Sequence, residues 1–366
     1  MHVDTLIIGA GLSGLYTAYR LHQAEQSFLL LEARSRLGGR ILSLAATQSS
    51  SDPLAKRYDL GPAWIWPGFQ PLMSSLIKEL KLPLFQQQVD GDLLYEESHS
   101  NQPHRHGGPS AHTQSFRIAG GAQALIEALS NTLPAQLIQN DSRVTKLEQT
   151  ETGIKADVER SNEQHESYYA RQVILALPPR LIRHSIAFNP ELTSEQKLAL
   201  DDIPTWMAGH AKILFLYEHP FWRKAGLSGE VFSHKGPMTE IYDASPSTGG
   251  PYALFGFLGI DSNRRREIGE TTLTQYCLDQ LVRLFGQDAQ NYAEVLYQDW
   301  TKDPYTSTPK DTIALPGHPE YGLPPVLNHL WEGKIILSGS ETAHNHGGYL
   351  EGALEAAESC LRLLKK

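Results

Sequence analysis

The residues most able to do chemistry stand early in the chain: the turn Gly9-Ala-Gly11-Leu-Ser-Gly14, an acid at Glu32, and the run Arg36-Leu-Gly-Gly-Arg40. Glycines at this spacing suit a pyrophosphate. Gly9 makes the tight bend, Gly11 lets the backbone approach a phosphate, and Gly14 lets the following helix pack on its strand. Amides of Leu12, Ser13 and Gly14 at that helix start are donors for an anion. Glu32 carries a carboxylate able to accept both hydrogen bonds of a ribose diol. Together they predict a dinucleotide site.

Positioning these groups takes a strand, a helix and a second strand. Val3 to Ile8 is an apolar run, Leu15, Ala18, Tyr19 and Leu21 give the next segment one apolar helical face, and Phe28 to Leu31 is apolar again, with Glu32 at its end. The unit extends to about residue 45. A polar loop, Thr47 to Lys56, leads to Tyr58-Asp-Leu-Gly-Pro-Ala-Trp64, where the chain either touches a ligand or turns sharply. Leu72, Leu76 and Leu80 begin the Leu72 to Phe116 segment as a helix, which then reads as a polar loop holding His99, His104, His106 and His112. Leu125, Leu129 and Leu133 mark another helix, ended by Pro134. Short runs around Gln136 to Ile138, Val144 to Leu147 and Ile154 to Val158 predict a meander that rejoins the first sheet at Val173-Ile-Leu-Ala-Leu177. From Lys212 the pattern is strand-rich, with a helix at Leu273 to Phe285. The tail is a strand from Lys334, a turn at Gly339 to Glu341, and a helix from Tyr349 to Leu364.

The length, 366 residues, suits two domains or one large intertwined unit, and the net charge of −9 argues against nucleic acid as a partner. No basic stretch precedes the opening apolar run, and no apolar run reaches the ~18–20 residues of a membrane span. These features predict a cytoplasmic protein with no membrane association. Cys277 and Cys360 are too few and too isolated for a disulfide framework or a metal site, and both read as core residues. The histidines of the 99–112 loop lack the fixed frame a metal needs, so no metal is expected. Arg264-Arg-Arg266 reads as a solvated loop or helix start.

Glu32-Ala-Arg-Ser-Arg-Leu-Gly-Gly-Arg40, Asp59-Leu-Gly61, Gly120-Gly121, Ala176-Leu-Pro-Pro179, Lys212, Trp300, Gly339-Ser-Glu-Thr342 and Gly348-Tyr-Leu-Glu-Gly-Ala353 occur in an order that resembles the flavin-containing amine oxidases, the monoamine and polyamine oxidase family. The resemblance spans nearly the whole chain. It implies an α/β fold with a Rossmann-like FAD-binding domain (1–71, 117–202 and 301–366) intertwined with a smaller α+β substrate domain (72–116 and 203–300) on a mixed or antiparallel sheet. It places Gly9, Gly11, Leu12, Ser13, Gly14, Glu32, Ala33, Arg34, Gly38, Gly39 and Arg40 around the adenosine and pyrophosphate. Gly61, Pro62, Ala63 and Trp64 would pass beneath the flavin, Val144 would offer its backbone to the adenine, and Trp300, Gly339, Ser340, Glu341, Tyr349 and Leu350 would complete the cofactor site. Amides at the start of the last helix would stabilise negative charge on the reduced ring.

By spacing alone, Lys212 at the mouth of an apolar strand reads as a lysine that snorkels to solvent. The resemblance instead gives it a catalytic part in reoxidation by dioxygen, with Tyr349 as a substrate-positioning wall. Two departures from the family stand out. Trp300 to Pro309 contains no cysteine, so the FAD is expected to be noncovalent, and Pro309-Lys310 replaces a second cage tyrosine, with Tyr305 the substitute if the loop folds inward. The Leu72 to Phe116 roof is also short, leaving either an open pocket or one closed by a partner subunit, as in a homodimer. His344 or His346 would line that pocket. The reaction implied is oxidation of a small amine to an imine by hydride transfer to flavin, with dioxygen reduced to hydrogen peroxide. The alternatives are an L-amino-acid oxidase or another FAD-dependent C–N or C–C oxidoreductase, and a flavin-binding partner protein without turnover. An amino acid would need a cation for its carboxylate, and sequence does not place Arg57, Arg105 or Arg223 in the pocket.

Overall fold

In the computed structural model, which describes residues 2–47, 56–100, 102–108, 110, 112–313, 315 and 317–364, the His2–Ile8 strand pairs in parallel with Phe28–Leu31 on one side and His165–Leu175 on the other. Ile138–Gln139 and Ile335–Leu337 extend this parallel sheet outward in both directions. The strands are nearly continuous apolar runs because both faces are covered. One face packs against the helices Leu12–Gln23, Pro71–Glu79, Gln123–Asn131 and Leu350–Leu364, with Leu15, Leu125 and Leu354 fully buried between them. The long His165–Leu175 strand does double duty: its first half pairs antiparallel with Gly153–Arg160, which in turn pairs with Ser142–Thr150. The expected meander therefore rejoins the parallel sheet through one shared strand.

A second, seven-stranded sheet has the order Glu294–Asp299, Ala211–Tyr217, Tyr252–Leu258, Met238–Asp243, Leu227–Ser233, Asp92–Glu96, His104–His106. Its strands alternate between two apolar environments. Ile213, Phe215, Ile241 and Val231 face the helix Glu270–Phe285, and Leu214, Leu216, Tyr242 and Phe255 face Tyr58 and Leu60. The second face therefore looks toward the segment that follows the glycine-rich loops.

The Leu72 to Phe116 segment differs from the polar loop the sequence suggests. After its helix it forms strands at Leu84–Gln86, Asp92–Glu96, His104–His106 and Phe116–Ile118, two of which add to the second sheet. Each is short and half polar, and takes its pairing from strands far along the chain, so the local pattern carries little trace of it. Arg265 also departs from the solvated reading: it is buried within the helix Ser262–Ile268 and grips Asp299 through Nε–Oδ2 at 2.9 Å and a second nitrogen to Oδ1 at 2.8 Å. Cys277 and Cys360 are buried free thiols, as expected, and burial pushes each up to about 12. Among the described residues no helix is long and apolar enough to cross a membrane.

Candidate active site

The cofactor end is built by two glycine loops lying side by side. Gly9 has φ +100°, a conformation that needs glycine, and a Cβ on Gly14 would meet the Gly9 carbonyl oxygen at 1.9 Å, which fixes how closely helix and strand approach. Gly11 is different: it pairs with Gly38 across the two loops, and nothing lies within 4 Å of where its Cβ would be. No side chain caps the Leu12–Gln23 helix, so its first amides point into that open space with their hydrogen bonds free. An uncapped helix start facing a cradle of glycine backbone is the donor set a pyrophosphate requires. The residues present fit a dinucleotide.

Glu32 lies buried under the turn, its Oε2 accepting from the Ala10 amide at 2.8 Å and its Oε1 from the Arg34 amide at 2.9 Å. Each oxygen retains capacity for a further donor, as a ribose diol demands. Ser13 contributes only its amide there, since its hydroxyl turns inward to the Ser338 carbonyl and to Ser338 Oγ. Arg34 spends its guanidinium on Asp303 at 2.8 Å and Thr306 at 2.9 Å, with its plane 5.3 Å from the Tyr305 ring. Tyr305 is thus packed at this end of the molecule and is no substitute cage wall. Arg40 meets the fully buried Glu341, Ser340 Oγ at 3.0 Å and the Trp206 carbonyl at 3.2 Å. Burial works against the Arg40 charge, but Glu341 outweighs it and raises its pKa. The Glu341 side chain is therefore a clamp on Arg40. Val144 is a buried residue of the Ser142–Thr150 strand, next to an irregularity in its pairing.

Beyond Arg40 the chain runs under the second sheet. Gly61 is required by close approach, since a Cβ there would meet the Arg40 carbonyl oxygen at 2.1 Å. Trp300 donates its indole N–H to the Leu60 carbonyl at 3.2 Å, and Lys212 donates Nζ–H to the Gly61 carbonyl at 3.3 Å. Lys212 does not snorkel. It is 3% exposed, because its strand lies within the sheet with every residue buried, and its Nζ sits 3.8 Å from the centroid of Phe255. Burial lowers its pKa to about 7; nearby Asp59 opposes that shift and Arg117 adds to it.

Around Lys212 is an aromatic face that the sequence reading missed. Phe257 is its cross-strand partner, and Trp64 lies 4.9 Å from Tyr242, 5.5 Å from Phe255 and 4.0 Å from His112, centroid to centroid. His112 is buried, not in a solvated loop, and desolvation lowers its pKa to about 4, so it is neutral at physiological pH. The signal available was the period-two alternation of the strands, but only their register reveals that these rings meet. Tyr349 stands apart from this face, 40% exposed and stacked on His318 at 4.6 Å with an interplanar angle of 10°. His318 takes the place beside Tyr349 that the sequence suggested for His344 or His346: His344 is exposed, and His346 Nδ1 is 2.8 Å from Glu355.

A glycine cradle on a parallel sheet, joined to a second sheet that presents a buried lysine among aromatic rings, defines a dinucleotide-dependent oxidoreductase fold. Comparison with known proteins makes this specific: residues 94–360 match the family described as flavin containing amine oxidoreductase, and residues 7–80 match the NAD(P)-binding Rossmann-like domain. The chain belongs to the flavin-containing amine oxidoreductase family, whose cofactor is FAD. It is similar to amine oxidase (flavin-containing) B of Canis lupus familiaris, at 29% identity over 256 residues, covering 68% of this chain and 47% of that one. The chain thus spans about half the length of the curated relatives it first matches. In fold it is similar to wild-type putrescine oxidase bound to putrescine (TM-score 0.78, 20% identity) and to cyclohexylamine oxidase from Brevibacterium oxydans IH-35A (TM-score 0.80, 19% identity), with 100% of each chain covered in both cases.

Proposed function

We propose that the chain is an FAD-dependent amine oxidase that converts a small amine to an imine, which hydrolyses to an aldehyde or ketone, while dioxygen becomes hydrogen peroxide. The observation that carries this reading is Lys212, a buried amine on an aromatic face, hydrogen-bonded to the Gly61 backbone that continues from the glycine cradle. FAD, when bound, supplies the two-electron redox chemistry. Amides at Gly11 to Gly14 bind the pyrophosphate, Glu32 the ribose and the Val144 backbone the adenine. Trp64, Phe255 and Phe257 exclude water from the reacting end and present an apolar surface to a neutral amine. Lys212, poised near neutrality, holds or releases a proton at Nζ beside the site where oxygen is reduced. Tyr349 guides the entering amine, and Trp300 fixes the Leu60-Gly61 backbone. The cofactor is noncovalent, since the Trp300 to Pro309 loop has no cysteine and both cysteines are buried in helices. The enzyme acts on free small molecules in the cytoplasm and needs no nucleic acid.

The amino-acid oxidase alternative gains no support from its candidate cations: Arg57 is paired with Glu127 at 2.7 Å, Arg105 with Asp92 at 3.0 Å and Arg223 with Asp243 at 2.8 Å. The test is to expose the purified yellow protein to panels of amines and amino acids without oxygen, follow loss of the flavin absorbance, then admit air and assay peroxide. Bleaching by amines followed by peroxide is expected. Bleaching by amino acids alone, or by NADPH with no amine active, would overturn the reading.

A further inference from the structure

Asp59, in the run Asp59-Leu-Gly61, and Arg117, in the strand Phe116–Ile118, are a buried acid and a buried base that the oxidase reading leaves unused. Both lie close to Lys212. Tyr58 and Leu60, on either side of Asp59, pack with Leu214 and Leu216, which share a strand face with Lys212. Lys212 donates to the carbonyl of Gly61, two residues beyond Asp59 and so within about 7 Å of it along the chain. Arg117 arrives from another segment. Its Nη1 donates to the Ser245 carbonyl at 2.8 Å and its Nη2 to the Ala244 carbonyl at 3.1 Å, where the chain continues from the strand that pairs with Phe255. Phe255 is the residue whose ring lies against Lys212 Nζ.

A buried ion pair that serves only to hold a fold together closes to hydrogen-bond contact, as Arg265 and Asp299 do at 2.8 Å. Asp59 and Arg117 do not close. Arg117 Nη2 stands 3.9 Å from Asp59 Oδ2, and among the described residues neither Asp59 Oδ2 nor Arg117 Nε has a hydrogen-bond partner. Both charges are nonetheless fixed, since Asp59 Oδ1 accepts the Ser43 hydroxyl at 2.6 Å and the Ala122 amide at 2.8 Å, while Arg117 is held by its two carbonyls. Buried charges that quench each other incompletely act on a third charge nearby. That third charge is Lys212, whose ammonium Asp59 favours and Arg117 disfavours.

The other ionisable groups around this face are neutral or engaged elsewhere. Burial keeps His112 unprotonated and holds the phenols of Tyr58 and Tyr242 above their usual value. Asp243 is held by Trp222 and Arg223, Asp299 by Arg265, and Glu240 accepts the Tyr242 hydroxyl. Phe257 and Gln298, the cross-strand partners of Lys212, carry no charge.

We propose that Asp59 and Arg117 are positioning residues for the oxygen half-reaction, a deliberately open charge pair in which Asp59 holds the proton on Lys212 Nζ and Arg117 favours its release. The inference rests on the oxidase reading and adds two residues to it. Neither residue touches the reacting atoms; each acts through Lys212.

The test follows Lys212 directly in the FAD-loaded full chain, isotope-labelled at the lysine ε-carbon, by NMR titration against pH. The Lys212 signal is identified by its absence in Lys212→Met. Asp59→Asn, which keeps the acceptor for Ser43 and Ala122, should lower the titration midpoint by about one pH unit, and Arg117→Gln should raise it by about as much. Arg117→Lys, which keeps the charge, should stay near wild type. In parallel, protein reduced with dithionite is mixed with dioxygen across the same pH range, and the midpoint of the reoxidation rate should move in the same two directions. A pair that is merely structural would lower stability in both variants without moving one lysine in opposite directions. Midpoints that move the same way, or an equal shift in Arg117→Gln and Arg117→Lys, overturn the proposal. So does a Lys212 that titrates in the ordinary lysine range in the wild type, a result that needs no variant to fold. Opposite NMR shifts in a protein that no amine reduces would leave the charge pair standing and sink the oxidase reading; amine oxidation with unmoved midpoints would do the reverse.

Discussion

Replacing Lys212 by methionine should make the protein more stable in a manner that depends on pH. The buried ammonium has its pKa lowered from 10.5 to about 7. That shift of about 3.5 units corresponds to about 5 kcal/mol of disfavour for the charged form in the folded state. Below pH about 7 the lysine is charged in both folded and unfolded states, so the wild type bears the whole cost. Between pH 7 and about 10.5 the unfolded state binds more protons than the folded state, so wild-type stability rises with pH and the cost fades. Methionine fills similar space without the charge. The assay is denaturant unfolding of wild type and Lys212→Met at saturating FAD from pH 6 to 10. The variant should be more stable by up to about 5 kcal/mol at pH 6, with the gap closing toward pH 10. A variant less stable than wild type at pH 6, or a difference independent of pH, would refute the argument that burial costs this lysine its charge.

Three further outcomes follow from the same geometry. Gly11→Ala should leave the thermal melt of the FAD-free protein nearly unchanged while weakening FAD binding about tenfold or more, because its Cβ enters only open space above the helix start; Gly14→Ala should lower the melting temperature itself, since its Cβ meets the Gly9 carbonyl oxygen at 1.9 Å. Arg265→Leu should cost about 3–5 kcal/mol in denaturant unfolding by leaving Asp299 buried and unpaired, and adding Asp299→Leu should restore much of it. Acid precipitation should leave the flavin in the supernatant; flavin retained on the pellet would contradict noncovalent binding.

What could be read from the sequence was what consecutive residues decide. The glycine turn, the helix behind it, the second strand and Glu32 are local in sequence, and their order carries the chemistry of a dinucleotide site. The meander was legible for the same reason, with each short strand marked by its own apolar run. The substrate side was not. Lys212 reads as a surface lysine until its strand is set second in a seven-strand order, between Glu294–Asp299 and Tyr252–Leu258. Trp64, His112, Tyr242, Phe255 and Phe257 come from four separate segments and meet only through strand register. Arg265 looked solvated because its neighbours Arg264 and Arg266 are; one turn of helix turns the middle one inward to Asp299. Arg34 and Ser13 lay in the right loop, but their side chains are held by Asp303 and Ser338, a distinction that depends on residues hundreds of positions away.

The proposed role of the buried lysine at an oxidase site is tested most directly by separating the two half-reactions by stopped flow in wild type and Lys212→Met. Reduction of the flavin by amine without oxygen should change by less than about threefold, while reoxidation by dioxygen should slow by about tenfold or more. Reoxidation at the wild-type rate, with reduction impaired instead, would contradict it.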